Sequence, residues 1–338
     1  MMRQIVRLMI FALLIMLMGG AGAASYETLK MEATPLATMP IERAVLSEGL
    51  GVELGKIQDG LTLDIRSDKE SYQLGEPVIL YVTMRNEGQQ TASVLSPLDP
   101  EYGFVNYMIV DASGEERRFL PYAHIDAENP SQQLAPGEEI QGVAKIFFGG
   151  DGWTFEEPGS YQVYAAYQDS LRSNTLTVQI DAATDQNSAE AADLFLGSEE
   201  VGKFLYFEGG DHLKEGVNLL EQVARQFPDT PHATYANFAL GNNLLTDFAN
   251  FQTNQLRRAD PTAAVQYLEV ARENPVSSYY TVQTYLDLSQ GYQMLNQPEM
   301  AEEMRIGLEN LATSELQPIQ NVVELVRIRK SAELNMIT

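Results

Sequence analysis

The chain has 338 residues, of which 47 are acidic and 22 are basic, and its formal net charge at pH 7 is −25. A surface this acidic repels phosphate backbones, which argues against nucleic-acid binding. The chain has no Cys, which excludes disulfides, thiol nucleophiles and lipid attachment through Cys, so burial of a core must stabilise the fold.

The first 24 residues have the layout of a secretory signal peptide. Two arginines precede an unbroken apolar run over residues 8–18, and small residues follow it. We expect cleavage after Ala23 or Ala24. The run is short for a bilayer span, which takes about 20 residues, although a retained N-terminal anchor is the alternative. The sequence therefore predicts an exported protein, periplasmic or secreted.

Residues 25–59 show no sustained periodicity and are predicted to be a leader or linker. From Leu61, apolar residues alternate with polar ones, as in Leu61, Leu63 and Ile65, and the alternation returns between Val78 and Met84. This period of two is typical of strands with one buried face and one solvent-exposed face. Further strands are predicted at residues 105–111, 117–120, 140–148, 161–168 and 175–180. Short strands separated by turn residues predict an antiparallel β-sandwich over residues 60–182.

One turn in this region carries a more specific pattern. The segment Pro158-Gly159-Ser160-Tyr161-Gln162-Val163 resembles the tyrosine corner of immunoglobulin-like folds, in which the Tyr hydroxyl bonds back to the chain. Residues 60–181 thus resemble the immunoglobulin-like domains of exported bacterial proteins. Fibronectin-like and cadherin-like sandwiches share the strand pattern. The resemblance implies no catalytic residue.

The polar, turn-rich residues 183–188 end the β pattern, and we place a domain boundary there. A helix is predicted over residues 189–207, with an interruption at Gly197 and a new start capped by Ser198. Further helices are predicted at residues 214–227, 232–250, 281–295 and 299–311. A final helix at 316–335 would cover the last open face of the α-helical region, which runs to residue 338.

One spacing, with steps of 4, 7 and 12 residues, occurs three times in the helical region. Its positions are Gly216, Leu220, Val223 and Pro228; Ala263, Tyr267, Val270 and Pro275; and Ala301, Arg305, Leu308 and Thr313. Steps of 4 and 7 lie on one helix face, and a Pro beyond them stops the helix. Each set therefore predicts the second helix of a helical hairpin.

The partner helix is clearest upstream of Ala301. There, Tyr285, Leu288, Ser289 and Tyr292 place large and small groups along one stripe. Residues 197–315 resemble tetratricopeptide repeats, whose signature has this order of aromatic, Leu, small and Tyr residues. The resemblance implies an array of helical hairpins that binds other proteins, with an inserted loop near residues 251–260. A more irregular hairpin array is equally compatible with the pattern.

The sequence offers little for catalysis. None of His124, His212 and His232 has another His at helical metal-binding spacing, so we expect no zinc site. His232 follows a Pro at a helix start and is expected to be solvated. No nucleophile, metalloprotease or phosphate-loop motif occurs. We therefore predict no catalytic residues, no metal and no cofactor, with an unrecognised enzyme site as the alternative.

Three places are candidates for binding a partner. The loop Gly149-Gly150-Asp151-Gly152-Trp153 holds the only Trp; Trp153 could stack on a sugar or peptide, with Asp151 as a hydrogen-bond or calcium ligand, or could pack across the end of the sandwich. Arg257 and Arg258 could contact an acidic partner segment or neutralise Asp260. Tyr279 and Tyr280 are expected in a turn, where they could face a groove.

These observations predict an exported, non-enzymatic binding or scaffold protein that holds a protein or peptide partner at the cell envelope or outside the cell. An alternative is a module that binds carbohydrate or a surface polymer through the Trp153 loop. Neither nucleic acid nor a transmembrane segment in the mature chain is expected.

Overall fold

A computed structural model describes residues 60–127, 129–250 and 253–313. The chain divides into two compact units, and nearly all described residues belong to the one that spans residues 56–248 and 256–338. In the other unit, the backbone N–H of Thr253 donates to Oδ1 of Asn250 at 3.1 Å. The predicted signal peptide, leader and final helix lie outside the described residues.

The described chain begins with β-structure. Its strands are β1 (Leu61–Ser67), β2 (Ser71–Gln73), β3 (Ile79–Asn86), β4 (Ala92–Leu95), β5 (Val105–Val110), β6 (Glu116–Arg118), β7 (Ser131–Leu134), β8 (Glu139–Lys145), β9 (Phe148–Gly149), β10 (Gly152–Trp153), β11 (Gly159–Tyr167) and β12 (Leu171–Asp181). One sheet has the order β1-β3-β8 and another the order β2-β12-β11-β5-β6. Neighbouring strands in both are antiparallel, except that β2 runs parallel to β12.

The predicted alternation places one face of each main sheet in the core. On β1, Leu61, Leu63 and Ile65 are buried, and β11 buries every second residue from Tyr161 to Tyr167. The side chain of Asn174 on β12 ties the two sheets together, because it accepts from the backbone N–H of Ile65 at 2.8 Å and donates to the carbonyl of Ile65 at 2.9 Å. Period-two patterning thus predicted the main strands correctly.

Strands β2, β4, β7 and β10 were not predicted from the sequence. Strands β4 and β7 pair with each other, with Val94 opposite Gln132. Both are only four residues long, and β7 is mostly polar, so neither is long enough to show an alternating pattern.

The second part of the described chain is α-helical. Its helices are α1 (Gln186–Leu196), α2 (Glu199–Phe207), α3 (Lys214–Gln226), α4 (Pro231–Leu244), α5 (Pro261–Glu273), α6 (Ser278–Met294) and α7 (Pro298–Thr313). The predicted break is confirmed: α1 ends before Gly197, and Ser198 caps α2 by accepting from the N–H of Glu200. The fold is therefore a β region followed by an α region.

Consecutive helices from α2 to α7 pack on one another. Within the α6–α7 pair, the ring of Tyr285 lies directly over Gly307, where a Cβ would come too close to it. Ser289 on α6 donates to the carbonyl of Ala301 on α7 at 3.2 Å. The predicted large-and-small stripe therefore does bring two antiparallel helices close together.

The predicted helix at the second spacing set is present as α5, but the residues of that set are not its buried ones. Ala263 and Tyr267 are half-exposed and Val270 is exposed, whereas Ala264, Leu268 and Ala271 are buried. The actual stripe keeps the steps of 4 and 7 but starts one residue later. Contact between Leu268 and Gly241 on α4 fixes this register.

The predicted helix over residues 232–250 is too long. Helix α4 ends at Leu244, and two short strands, β13 (Phe248–Asn250) and β14 (Gln255–Arg257), occupy the stretch expected to be helix end and loop. The carbonyl of Leu244 accepts from the backbone N–H of Asp260 at 2.9 Å. This long-range hydrogen bond takes the place of the next helical turn.

Candidate functional site

The Trp153 loop is a tight hairpin in which Trp153 lies opposite Phe148. Trp153 is only 7% exposed, and its ring packs against Phe147 and Phe148 at centroid distances of 6.1 and 5.6 Å. Asp151 is exposed at the tip. The structure thus favours the packing alternative for Trp153, because its ring faces are covered by the protein itself.

This hairpin packs against helix α2. A Cβ on Gly202 of α2 would overlap the ring of Phe148, so only Gly leaves room for the ring. We call the surrounding cluster the aromatic interface: its members are Tyr122, Phe147, Phe148, Trp153, Tyr206 and Phe207, linked by ring contacts of 5.2 to 6.4 Å. The aromatic interface joins the β region to the α region.

A buried Lys extends the aromatic interface. Lys145 at the end of β8 is 2% exposed; it forms an ion pair with Glu208 and donates to the carbonyl of Tyr206 at 3.2 Å. The hydroxyl of Tyr206 donates to Glu101 at 2.6 Å. A buried ammonium needs such partners because desolvation of a charge is costly.

A second contact joins the β region to the starts of α4 and α6. Asp68, in the turn after β1, accepts hydrogen bonds from the hydroxyls of Tyr81 and Ser278 and from the backbone N–H of Tyr279 at 3.2 Å. A carboxylate at a helix N-terminus is favoured by the unpaired N–H groups and the helix dipole. We call the set Asp68, Leu74, Glu76, His232, Ser278 and Tyr279 the polar interface.

His232 is the centre of the polar interface and is fully buried. Its Nε2 lies 2.8 Å from the carbonyl oxygen of Leu74, and since a carbonyl only accepts, Nε2 carries the proton. Gly75, with φ of +86°, brings this loop against the imidazole. Burial lowers the pKa of His232 to about 4, so the ring is neutral at pH 7. The expectation that His232 is solvated is therefore wrong.

Glu76 lies in the same loop, with its side chain closed off from solvent. It forms an ion pair with Lys69 at 2.5 Å and accepts from the backbone N–H of Gln73 at 3.0 Å. Burial raises the pKa of Glu76 although the Lys69 ammonium lowers it. Oε1 of Glu76, Nδ1 of His232 and the hydroxyl of nearby Tyr235 have no hydrogen-bond partner among the described residues. These unsatisfied groups mean that the polar interface adds less stability than a fully hydrogen-bonded cluster would.

The predicted turn placement of Tyr279 and Tyr280 is wrong. Both lie in the first turn of α6 and are 0% and 3% exposed. Tyr280 packs edge to face against Tyr235 and Phe238, with both centroid distances 5.0 Å. Neither ring offers a surface to a partner in this structure, because α6 begins against the β region rather than after an open turn.

Arg257 and Arg258 have carboxylate partners, but not the predicted one. Arg257 pairs with Asp211 and donates to the carbonyl of Asn243 at 2.7 Å, while Arg258 pairs with Asp247 at 2.6 Å and is 77% exposed. Asp260 instead caps α5 by accepting from the N–H of Ala263. Arg257 thus braces the end of α4, whereas Arg258 remains accessible.

The role of several interface residues was not predicted from the sequence. Gly202 and Glu76 sit in ordinary helix and turn sequences, which give no sign of what packs on them. Lys145 did carry a signal, because it is the one charged residue in the run from Ile140 to Phe148. A Lys inside a predicted buried strand is rare unless it is paired.

Among residues 60–127, 129–250 and 253–313, no three His, Cys, Asp or Glu side chains are grouped so as to hold a metal ion. In the same part of the chain, no helix has the length and apolar character needed to cross a bilayer.

No protein-family model matches the sequence, and no curated protein matches it. Matches among solved structures include three β-glucosidases. That of Listeria innocua is 14% identical over 36% of this chain and 16% of that chain, with a TM-score of 0.23. β-Glucosidase 3B of Thermotoga neapolitana in complex with glucose is 14% identical over 39% of this chain and 17% of that chain (TM-score 0.24), and that of Erythrobacter marinus is 18% identical over 35% of this chain and 15% of that chain (TM-score 0.23). The matched region spans about one sixth of the length of these enzymes. TM-scores this low establish neither a shared fold nor a shared activity.

Proposed function

We propose that the chain is an exported, non-enzymatic binding protein that holds a protein or peptide partner at the cell envelope or outside the cell. In this proposal residues 60–182 form an immunoglobulin-like sandwich and residues 183–338 a tetratricopeptide-like array. Export rests on the signal-peptide pattern of residues 1–24.

The sandwich assignment is supported by the tyrosine corner. The hydroxyl of Tyr161 donates to the carbonyl of Glu157 at 2.9 Å, which is the bond back to the chain that the sequence predicted. The ring of Tyr161 packs edge to face on Phe155 at 5.0 Å. Two mainly antiparallel sheets joined by Asn174 agree with the same assignment.

The repeat assignment is supported by the order of helix packing. Each helix from α2 to α7 packs on the next, as in arrays where hairpins stack on their neighbours. Small residues lie at the crossings, for example Gly216 against Glu200 and Gly291 against Val265. Arrays built this way present long surfaces to partners.

The main support for the binding proposal is that the polar and aromatic interfaces hold the β region and the α region together. Inter-domain contacts are often small and allow movement. Here the Asp68 carboxylate accepts from a first-turn N–H of a helix in the other region, and Phe148 fills the space left by Gly202. A surface held in one shape loses less entropy when a partner binds.

No observation favours the carbohydrate alternative. It needs an accessible Trp153 ring, and the Trp153 ring is buried against Phe147 and Phe148.

Affinity capture with chemical cross-linking tests the proposal. The full-length protein, recovered from its own cell envelope, should cross-link reproducibly to one or a few proteins, and its mature N-terminus should be residue 24 or 25. An unrelated exported protein of similar negative charge is the control. Capture of only the proteins that this control also captures, or retention of polysaccharide without protein, would contradict the proposal.

A further inference from the structure

A shallow depression lies on the solvent face of the five-stranded sheet. Its volume is about 320 Å³, and its lining comes from β5, β6, β11, β12 and the turn between the last two. Six of its lining residues lie on the strands: Asn106, Met108, Arg118, Tyr164, Ala166 and Arg172. They alternate with the buried residues of the same strands, so they point away from the core.

Strand register arranges these residues in two rows. In the first row Arg118 lies opposite Met108, and Met108 opposite Tyr164. In the second row Asn106 lies opposite Ala166, and Ala166 opposite Arg172. Met108 and Ala166 thus form the apolar base of the depression. Arg118 on β6 and Arg172 on β12 lie at its two ends.

Arg172 crosses from its row to the other and stacks on the Tyr164 ring, with its guanidinium carbon 3.5 Å from the ring centroid. The Tyr164 hydroxyl donates to Glu116 at 2.9 Å, which fixes the ring under the guanidinium. Nη2 of Arg172 also donates to Oγ1 of Thr175 at 3.5 Å. Planar stacking leaves the other N–H donors at the edge of the guanidinium available to a planar acceptor such as a carboxylate.

Both arginines of the depression lack an ion pair. Among the described residues, Lys69, Arg85 and Lys145 of the β region each pair with a carboxylate, whereas Arg118 and Arg172 pair with none. Two carboxylates lie at this face, but both have other partners. Glu116 accepts from the Tyr164 hydroxyl, and Asp169 accepts from the side-chain amide of Asn106 at 2.7 Å. In a chain with 47 acidic and 22 basic residues, two guanidiniums without a carboxylate partner in one depression are unexpected.

We propose that this depression binds an extended acidic peptide segment of the partner, with carboxylates at alternate positions held by Arg118 and Arg172. The proposal rests on the proposed function, because it names the chemistry of the partner. Met108 and Ala166 provide the apolar floor for the peptide backbone.

The spacing supports an extended peptide. Arg118 and Tyr164, which carries the Arg172 guanidinium, are separated by two strand spacings, or about 10 Å. Residues i and i+2 of an extended chain lie on the same side about 7 Å apart. Long Arg side chains cover the difference, so two carboxylates at alternate positions can each reach one guanidinium.

Fluorescence anisotropy with the full-length protein tests the proposal. The probe is a short labelled peptide that alternates Thr and Glu, and the matched probe alternates Thr and Gln. We expect the Glu peptide to bind at least about tenfold more tightly. R118Q or R172Q should weaken binding of the Glu peptide about threefold each, and the double variant about tenfold.

The control variant is R85Q, which removes an exposed Arg from the other main sheet and should leave peptide affinity unchanged. Equal affinity for both peptides, or no loss in the double variant, would overturn the proposal. Tighter, arginine-dependent binding of an oligogalacturonate would overturn the choice of a peptide. If cross-linking still recovers the same partner with the R118Q/R172Q protein, the binding function stands and only this assignment of the surface fails.

Discussion

Acidification from pH 7 to pH 4 is expected to lower the free energy of unfolding by about 3 kcal/mol through His232 alone. Burial lowers the pKa of His232 to about 4 in the folded protein, against an ordinary value of 6.5. Between these values the unfolded chain binds a proton that the folded protein does not. Stability is therefore complete above about pH 6.5, falls as the pH drops to 4, and falls no further below it.

Other groups that face His232 titrate as well. The Lys69 ammonium disfavours a charged imidazole. Glu76 acts in the opposite direction: burial raises its pKa, so its protonation in acid favours the folded state. The His232 contribution must therefore be measured as a difference between two proteins.

The matched variant is His232→Gln, whose amide N–H can still donate to the carbonyl of Leu74. Urea unfolding at a series of pH values gives the free energy for both proteins. We expect the wild type to lose stability more steeply between pH 6.5 and 4, by about 3 kcal/mol in total. Parallel pH profiles would show that the imidazole is not buried and neutral.

Gly202→Ala is expected to destabilise the protein by about 1 to 3 kcal/mol. In an open helix the same change stabilises by about 1 kcal/mol, because Ala has the higher helix propensity. Here the new Cβ would overlap the ring of Phe148, which cannot move without disturbing Trp153. The sign of the change, measured by urea unfolding, therefore reports whether α2 packs on the Trp153 hairpin.

Phe148→Ala supplies the control for this prediction. Without the ring, the Cβ of residue 202 has room, so Gly202→Ala should be neutral or stabilising in the Phe148→Ala background. A double-mutant cycle would then show a coupling of about 1 to 3 kcal/mol. Stabilisation by Gly202→Ala in the otherwise native protein would contradict the contact.

The sequence predicted the main strands and the break between α1 and α2. Alternation over Leu61, Leu63 and Ile65 identified β1 because one face of that strand is wet. The corner at Tyr161 and the cap at Ser198 were found because both depend on residues within a few positions of each other. Contacts between residues this close in the chain can be predicted from the sequence pattern.

The contacts between the two regions were not predictable in the same way. Tyr279 and Tyr280 were predicted to lie in a turn where they could face a groove, and in the structure both are buried at the start of α6. For Trp153 the sequence allowed either partner binding or packing, and the structure shows a buried ring. Periodicity shows that a side chain has an apolar environment but not which distant segment supplies it. The one-residue shift on α5 has the same origin, because contact with Gly241 on another helix set it.

The interfaces also determine whether the β region and the α region can be studied as separate fragments. Asp68 accepts from the N–H of Tyr279 in the first turn of α6, and His232 depends on Leu74 for its hydrogen bond. Separating the β region from the α region would expose the aromatic interface and leave Lys145 without Glu208. The whole chain is therefore the right object for binding studies.

Equilibrium urea unfolding followed by two signals tests the account most directly. The only Trp, Trp153, reports on the β region and its contact with α2, while circular dichroism at 222 nm reports on the helices. If strands and helices are fastened as described, both signals change in one transition with the same midpoint and the same slope. Loss of the helical signal in a separate transition from the Trp153 signal would show two independent domains and contradict the account.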